Sequence, residues 1–118
     1  MLFLSMSRDE GVVLDILNAA GLIREFIAGK DLTDFLADSK TCFAVLHQLV
    51  VIGEAAKRLS AEYRANHPEI PWREMAGLRD VLVHHYDEVD LVEIWETVTG
   101  DLPGAVAAIS RLVPPRDL

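Results

Sequence analysis

The sequence has one cysteine, Cys42, in 118 residues, so no disulfide can close within the chain and a cysteine-built zinc centre is excluded. Cations are scarce too. Eleven lysines and arginines stand against nineteen aspartates and glutamates, a net charge of −8. That balance argues against a sequence-indifferent coat on nucleic acid, which depends on cations displacing phosphate counterions. A protein acting on a phosphodiester would have to gather its few cations at one small place. Long apolar runs are also missing: LVVIG at 49–53 meets Glu54, well short of the roughly 20 residues that span a bilayer. The opening MLFLSM has no basic residue before it and is soon interrupted by Arg8, Asp9 and Glu10, so no secretory leader is expected. Together these absences point to a protein of the reducing cytoplasm without a membrane partner.

What the chain does have is apolar surface in helical register. Apolar residues make up 51% of it, and the length suits one domain over residues 1–118, too short for two independent cores. Ser7 and Glu10 have the spacing of a capping box. Val12, Ile16, Ala19, Ala20, Ile23 and Ile27 then recur at threes and fours, predicting a first helix from about residue 8 to Ala28, closed by Gly29. DLTDFLA at 31–37 allows one or two turns.

A long helix is predicted from Ser39. Cys42, Val45, Leu46, Leu49, Ile52, Gly53, Ala56 and Leu59 form its stripe, and Phe43, His47 and Val50 widen it, the mark of a central element. Glu54 and Arg58 stand in the order that favours a surface ion pair. A short polar helical stretch follows at 60–66, then HPEIP as punctuation. Pro71 suits a first helical position. The next helix carries two stripes, one of Met75, Leu78 and Leu82, the other of Trp72, Ala76, Val83 and Tyr86, with Arg79 inside the second. Asp90 with Glu93 starts a further helix by capping-box logic, and Asp101 before Pro103 starts or kinks the last one. There is no useful strand-like alternation. The expected fold is an all-α, up-and-down bundle of about five helices, sequential members antiparallel.

Chemistry gathers in RDVLVHHY at 79–86. On an ideal helix His84 is rotated about 140° from Arg79 and His85 about 120° the other way, while Tyr86 lies about 20° from Arg79. Arg79 and a histidine can meet at one atom only if the arginine wraps round, the helix unwinds, or a second chain supplies one of them. A symmetric dimer meets that need and also uses the apolar surplus. Asp80, four residues before His84, can orient its ring and leave the other nitrogen for proton transfer. Arg79 is the right cation for a phosphate, because its planar fork stays charged and donates parallel hydrogen bonds. Arg79 and His84 thus suffice for metal-free cleavage of a phosphodiester by a ribose 2′-hydroxyl. Structural readings stand beside these: Arg79 stitching helices through Asp80, Asp87 or Glu88, a histidine serving the helix dipole, and Tyr86 as a core ring. His47 and His67 show no metal-ligand spacing.

Arginine, four residues, histidine, one residue, tyrosine is a signature that resembles the HepT-like branch of HEPN-domain proteins, here as Arg79, His84 and Tyr86. IGEAAKRLS at 52–60, HPEIPWREMAGLRDVLVHHY at 67–86, VDLVEIWETV at 89–98 and DLP at 101–103 extend the likeness from Met6 onward. Residues 1–5 then read as extra, with Met6 as an alternative start, and 113–118 as a flexible tail. The resemblance implies an all-helical HEPN fold and a homodimer whose paired motifs line a cleft. It implies a toxin of a toxin-antitoxin system, a metal-independent ribonuclease with RNA as substrate and no cofactor. It implies Arg79 and His84 as the catalytic pair, and a minimal nucleotidyltransferase antitoxin that transfers AMP to Tyr86 and silences the site. The alternative from another class is a non-catalytic helical dimer that serves only as partner and AMP acceptor of such a nucleotidyltransferase.

Overall fold

The computed structural model describes residues 7–114, so the expectations about residues 1–5, a start at Met6 and the end of the C-terminal tail lie outside the described residues. Helix α1 (Arg8–Ile27) begins at a complete capping box, with the Glu10 N–H donating to Ser7 Oγ at 3.1 Å and the Ser7 N–H to Glu10 Oε1 at 3.4 Å. It ends where expected. Gly29 takes φ +74°, open to glycine at little cost, and the Lys30 N–H returns to the Ile27 carbonyl at 3.0 Å.

Helix α2 (Leu32–Ala37) has its own box, Asp31 with Asp34, and buries Phe35 against Trp95. Asp38 caps α3 (Ser39–Arg58), and the buried Cys42 thiol donates to the Phe35 carbonyl at 3.1 Å, joining α2 to α3. Burial raises the pKa of that thiol, first among its causes, keeping it protonated. Ser60 caps α4 (Ala61–Asn66) and is itself held by Asp9 at the start of α1, at 2.9 Å through its N–H and 2.7 Å through its hydroxyl.

Helix α5 (Trp72–His84) starts one residue after Pro71, which takes the cap position. A 3-10 turn (Tyr86–Glu88) leads to α6 (Leu91–Glu96), which runs through a π-helical segment (Thr97–Asp101) into α7 (Leu102–Ser110). Asp90 caps α6 through the Val92 N–H at 2.9 Å, without the reciprocal half of a box. The irregularity expected near Asp101 and Pro103 is thus absorbed by one wide turn. Thr97 and Thr99 hydroxyls donate to the Glu93 and Trp95 carbonyls there, at 2.9 and 2.6 Å, a local competition for helix carbonyls that tends to bend a helix.

The all-α bundle is therefore present, and the short helical pieces expected at 31–37 and 60–66 are α2 and α4. Helix α3 is central, flanked by α1 and α5. Val13 and Ile16 of α1, Val45, Leu49 and Ile52 of α3, Leu82 of α5 and Ile109 of α7 meet in one core. The molecule is only 21 Å across its thinnest direction and 51 Å along its longest. That is about two helices thick, so a slab of this kind leaves much helix surface outside. Phe43 is 59% exposed, and Val83 of α5 and Tyr86 in the turn beyond it are also exposed. No helix among the described residues is long and apolar enough to cross a membrane.

Candidate active site

The residues singled out in the sequence lie at the C-terminal half of α5, and their geometry is set by α3. Gly53 makes the approach of the two helices possible: a β-carbon there would collide with the Arg79 β-carbon and come within 2.7 Å of the Met75 carbonyl. The stem of Arg79 therefore lies against bare α3 backbone. Its guanidinium then meets Glu54 through Nη2 and Asp80 through Nη1, the latter at 3.0 Å. Asp80 Oδ1 accepts a second charge-assisted bond from Lys57 Nζ at 3.0 Å. Lys57, Asp80, Arg79 and Glu54 thus alternate in sign across the α3–α5 seam.

Electrostatics follow from that ladder. The pKa of Asp80 is held below the usual carboxylate range, first by the Lys57 hydrogen bond and then by Arg79. That of Arg79 is raised, mainly by its bond to Asp80, so the cation is permanent. Its side chain is 21% exposed. Its Nε is buried and has no partner, so the open part of the fork is the outer end.

His84 is the last residue of α5 and exposed, and its side chain makes no hydrogen bond or ion pair among the described residues. Asp80 is joined to Lys57 and Arg79, and no hydrogen bond links it to His84 in this single chain. His85 leaves the helix at φ −135°, ψ 38°, and its Nδ1 lies 3.7 Å from Glu88. Tyr86 follows at 62% exposure and is no core ring. The C-terminal part of α5 therefore presents a cation held by two carboxylates and, beyond it, an imidazole and a phenol that have no side-chain partner among the described residues.

Two expectations are corrected here. Glu54 does not pair with Arg58; it takes Arg79, and Arg58 reaches Asp15 of α1 at 3.3 Å. Arg79 does pair with Asp80, but that residue is its neighbour on α5; the carboxylate through which it stitches two helices is Glu54 of α3, and not Asp87 or Glu88. Sequence reasoning missed Gly53, Glu54 and Lys57 as parts of the site. A glycine inside an apolar helical stripe was the available signal, since it marks close helix contact. His47 is exposed and His67 packs its ring on Tyr63 at 4.6 Å. Among the described residues no three histidine, cysteine or carboxylate side chains converge as a metal would require.

The chain is similar to known proteins over most of its length. The family described as "Ribonuclease HepT-like" matches residues 16–112. A Thermococcus cleftensis protein named "Probable ribonuclease HepT" is 46% identical over 83% of this chain and 89% of its own. A Caldanaerobacter subterraneus relative named as a candidate RNase is 39% identical over 75% of this chain and 79% of its own. One from Methanocaldococcus jannaschii, named likewise, is 36% identical over 75% of this chain and 82% of its own. No solved structure matches the chain. With a matching signature, an all-α bundle and relatives of this closeness, the chain belongs to the HepT-like ribonuclease family.

Proposed function

We propose that this protein is the toxin of a toxin-antitoxin system, a cytoplasmic endoribonuclease that cuts RNA without a metal, using Arg79 and His84. The observation that carries the reading is the helix end itself, where a fixed cation and an unengaged imidazole lie five residues apart on α5. In the reaction a 2′-hydroxyl attacks the adjacent phosphorus as a His84 ring nitrogen takes its proton. The P–O5′ bond breaks, a cyclic phosphate remains, and the departing oxygen receives a proton from an imidazolium. Arg79 stabilises the charge on the phosphoryl oxygens while five bonds surround phosphorus. In a homodimer two copies of His84 are available, one as base and one as acid. Exposed Phe43, Val83 and Tyr86, on or next to the helices that carry the ladder, supply apolar surface for such a dimer. Asp80 would turn toward His84 through its second oxygen.

Silencing follows from the exposed Tyr86 phenol. Transfer of AMP by a minimal nucleotidyltransferase antitoxin would place bulk and a negative charge on the same helix end, against the approach of RNA. Labelled RNA incubated with purified protein in EDTA tests the reading. Cleavage by wild type that Arg79→Ala and His84→Ala each abolish supports it, and equal cleavage by His84→Ala ends the catalytic assignment.

A second reading, the non-catalytic dimer that serves as partner and AMP acceptor of the nucleotidyltransferase, draws on two observations. Arg79 is already neutralised by two carboxylates, and each chain carries a net charge of −8. RNA left intact by wild type across substrates would favour it.

A further inference from the structure

We propose that Glu54 is a positioning residue for RNA cleavage: with Gly53 it forms a seat on α3 that holds the Arg79 guanidinium in one orientation toward the phosphate. The proposal rests on the reading above in which Arg79 meets the scissile phosphate.

Three features of the seam build the seat. Gly53 lets the arginine stem lie on α3, where any β-carbon would meet the Arg79 stem and the Met75 carbonyl. Glu54 then receives Nη2, and Asp80, itself tied to Lys57 at 3.0 Å, receives Nη1. The Nε edge is buried without a partner, so it cannot serve a phosphate as half of a two-pronged contact. Each terminal nitrogen carries two hydrogens and gives one to a carboxylate. The hydrogens left over define the direction from which an anion can be received.

Charge explains why orientation is the role. Two cations and two carboxylates cancel within the ladder, so it does not draw RNA from a distance. A long arginine at a half-exposed helix end would otherwise sample many rotamers, and fixing it beforehand removes that ordering cost from the transition state. The seat acts on the chemical step more than on binding.

The distinguishing variants are Glu54→Ala, which removes the acceptor, and Glu54→Gln, which keeps a carbonyl acceptor and removes the charge. Expected for Glu54→Ala is a kcat lower by about ten- to a hundredfold with little change in KM, at unchanged helix content. Glu54→Gln should recover most of the rate. In the free protein, the Arg79 Nε–H group should be rigid in wild type by nitrogen-15 relaxation and mobile in Glu54→Ala. Wild-type kcat in Glu54→Ala, cleavage above wild type in Glu54→Gln, or an Arg79 signal equally rigid in both proteins would overturn the proposal. Should wild type cut no RNA, the relaxation measurement still decides the seat, and the cleavage reading alone falls.

Discussion

The Arg79 β-carbon occupies the space that a side chain at Gly53 would need, so the contact between α3 and α5 is set backbone to stem. Gly53→Ala would gain up to about 1 kcal/mol of helix propensity. The collision outweighs it, because the Met75 carbonyl is part of a helix and cannot move alone; overpacking of this kind costs about 1–3 kcal/mol. A lowered urea midpoint is expected. A midpoint equal to or above wild type would mean that the two helices are not in this contact.

Phe43 and Val83 give the proposed dimer a direct handle. Both are exposed in the single chain, at 59% and 45%, so a charge placed there does little to the protomer itself. Phe43→Asp with Val83→Asp is expected to shift sedimentation from dimer to monomer at unchanged helicity. A dimer that persists unaltered would place the interface elsewhere.

Tyr86 is accessible at 62% exposure in the short turn after α5. After co-expression with a minimal nucleotidyltransferase, intact mass should show added AMP that Tyr86→Phe removes, with no effect on folding. The same adduct on Tyr86→Phe would assign the modification to another residue.

Acid should weaken the fold through three carboxylates. Asp9 is held below the usual carboxylate range first by the Ser60 backbone N–H and then its hydroxyl, and Asp38 first by the Thr41 hydroxyl and then its N–H. Asp80 is held there first by Lys57 and then by Arg79. A lowered folded-state pKa favours folding fully above the unfolded value, about 3.9, and the contribution is lost as pH falls through the lower folded values. From these groups the urea midpoint should be level from pH 7 to about 5 and fall below about 4, less steeply in Asp80→Asn. A slope in Asp80→Asn equal to that of wild type would remove Asp80 from the account.

Much of this architecture is local and therefore legible in the chain. The Ser7–Glu10 box, the Gly29 stop and the α3 stripe rest on neighbours a few residues apart, and the helix bounds follow them. Arg79, His84 and Tyr86 were visible as a spaced set for the same reason. The partner of Arg79 was not, because it depends on how α3 and α5 are rotated against each other. Glu54 had a correctly spaced cation in Arg58, yet Asp15 of α1 drew that arginine away. A local pair of that kind is worth only a few tenths of a kcal/mol, too little to resist a tertiary alternative. The π-helical turn at Thr97–Asp101, where threonine hydroxyls bond to the preceding turn, is likewise a departure that periodicity does not register.

The most direct test is the rate at which His84→Ala cuts labelled RNA in EDTA, beside wild type and Arg79→Ala. Loss of a proton-transfer group should lower the rate by about a hundred- to ten-thousandfold, and because the His84 side chain is exposed and makes no bond among the described residues its removal should leave melting unchanged. Cleavage by His84→Ala at the wild-type rate would contradict the account.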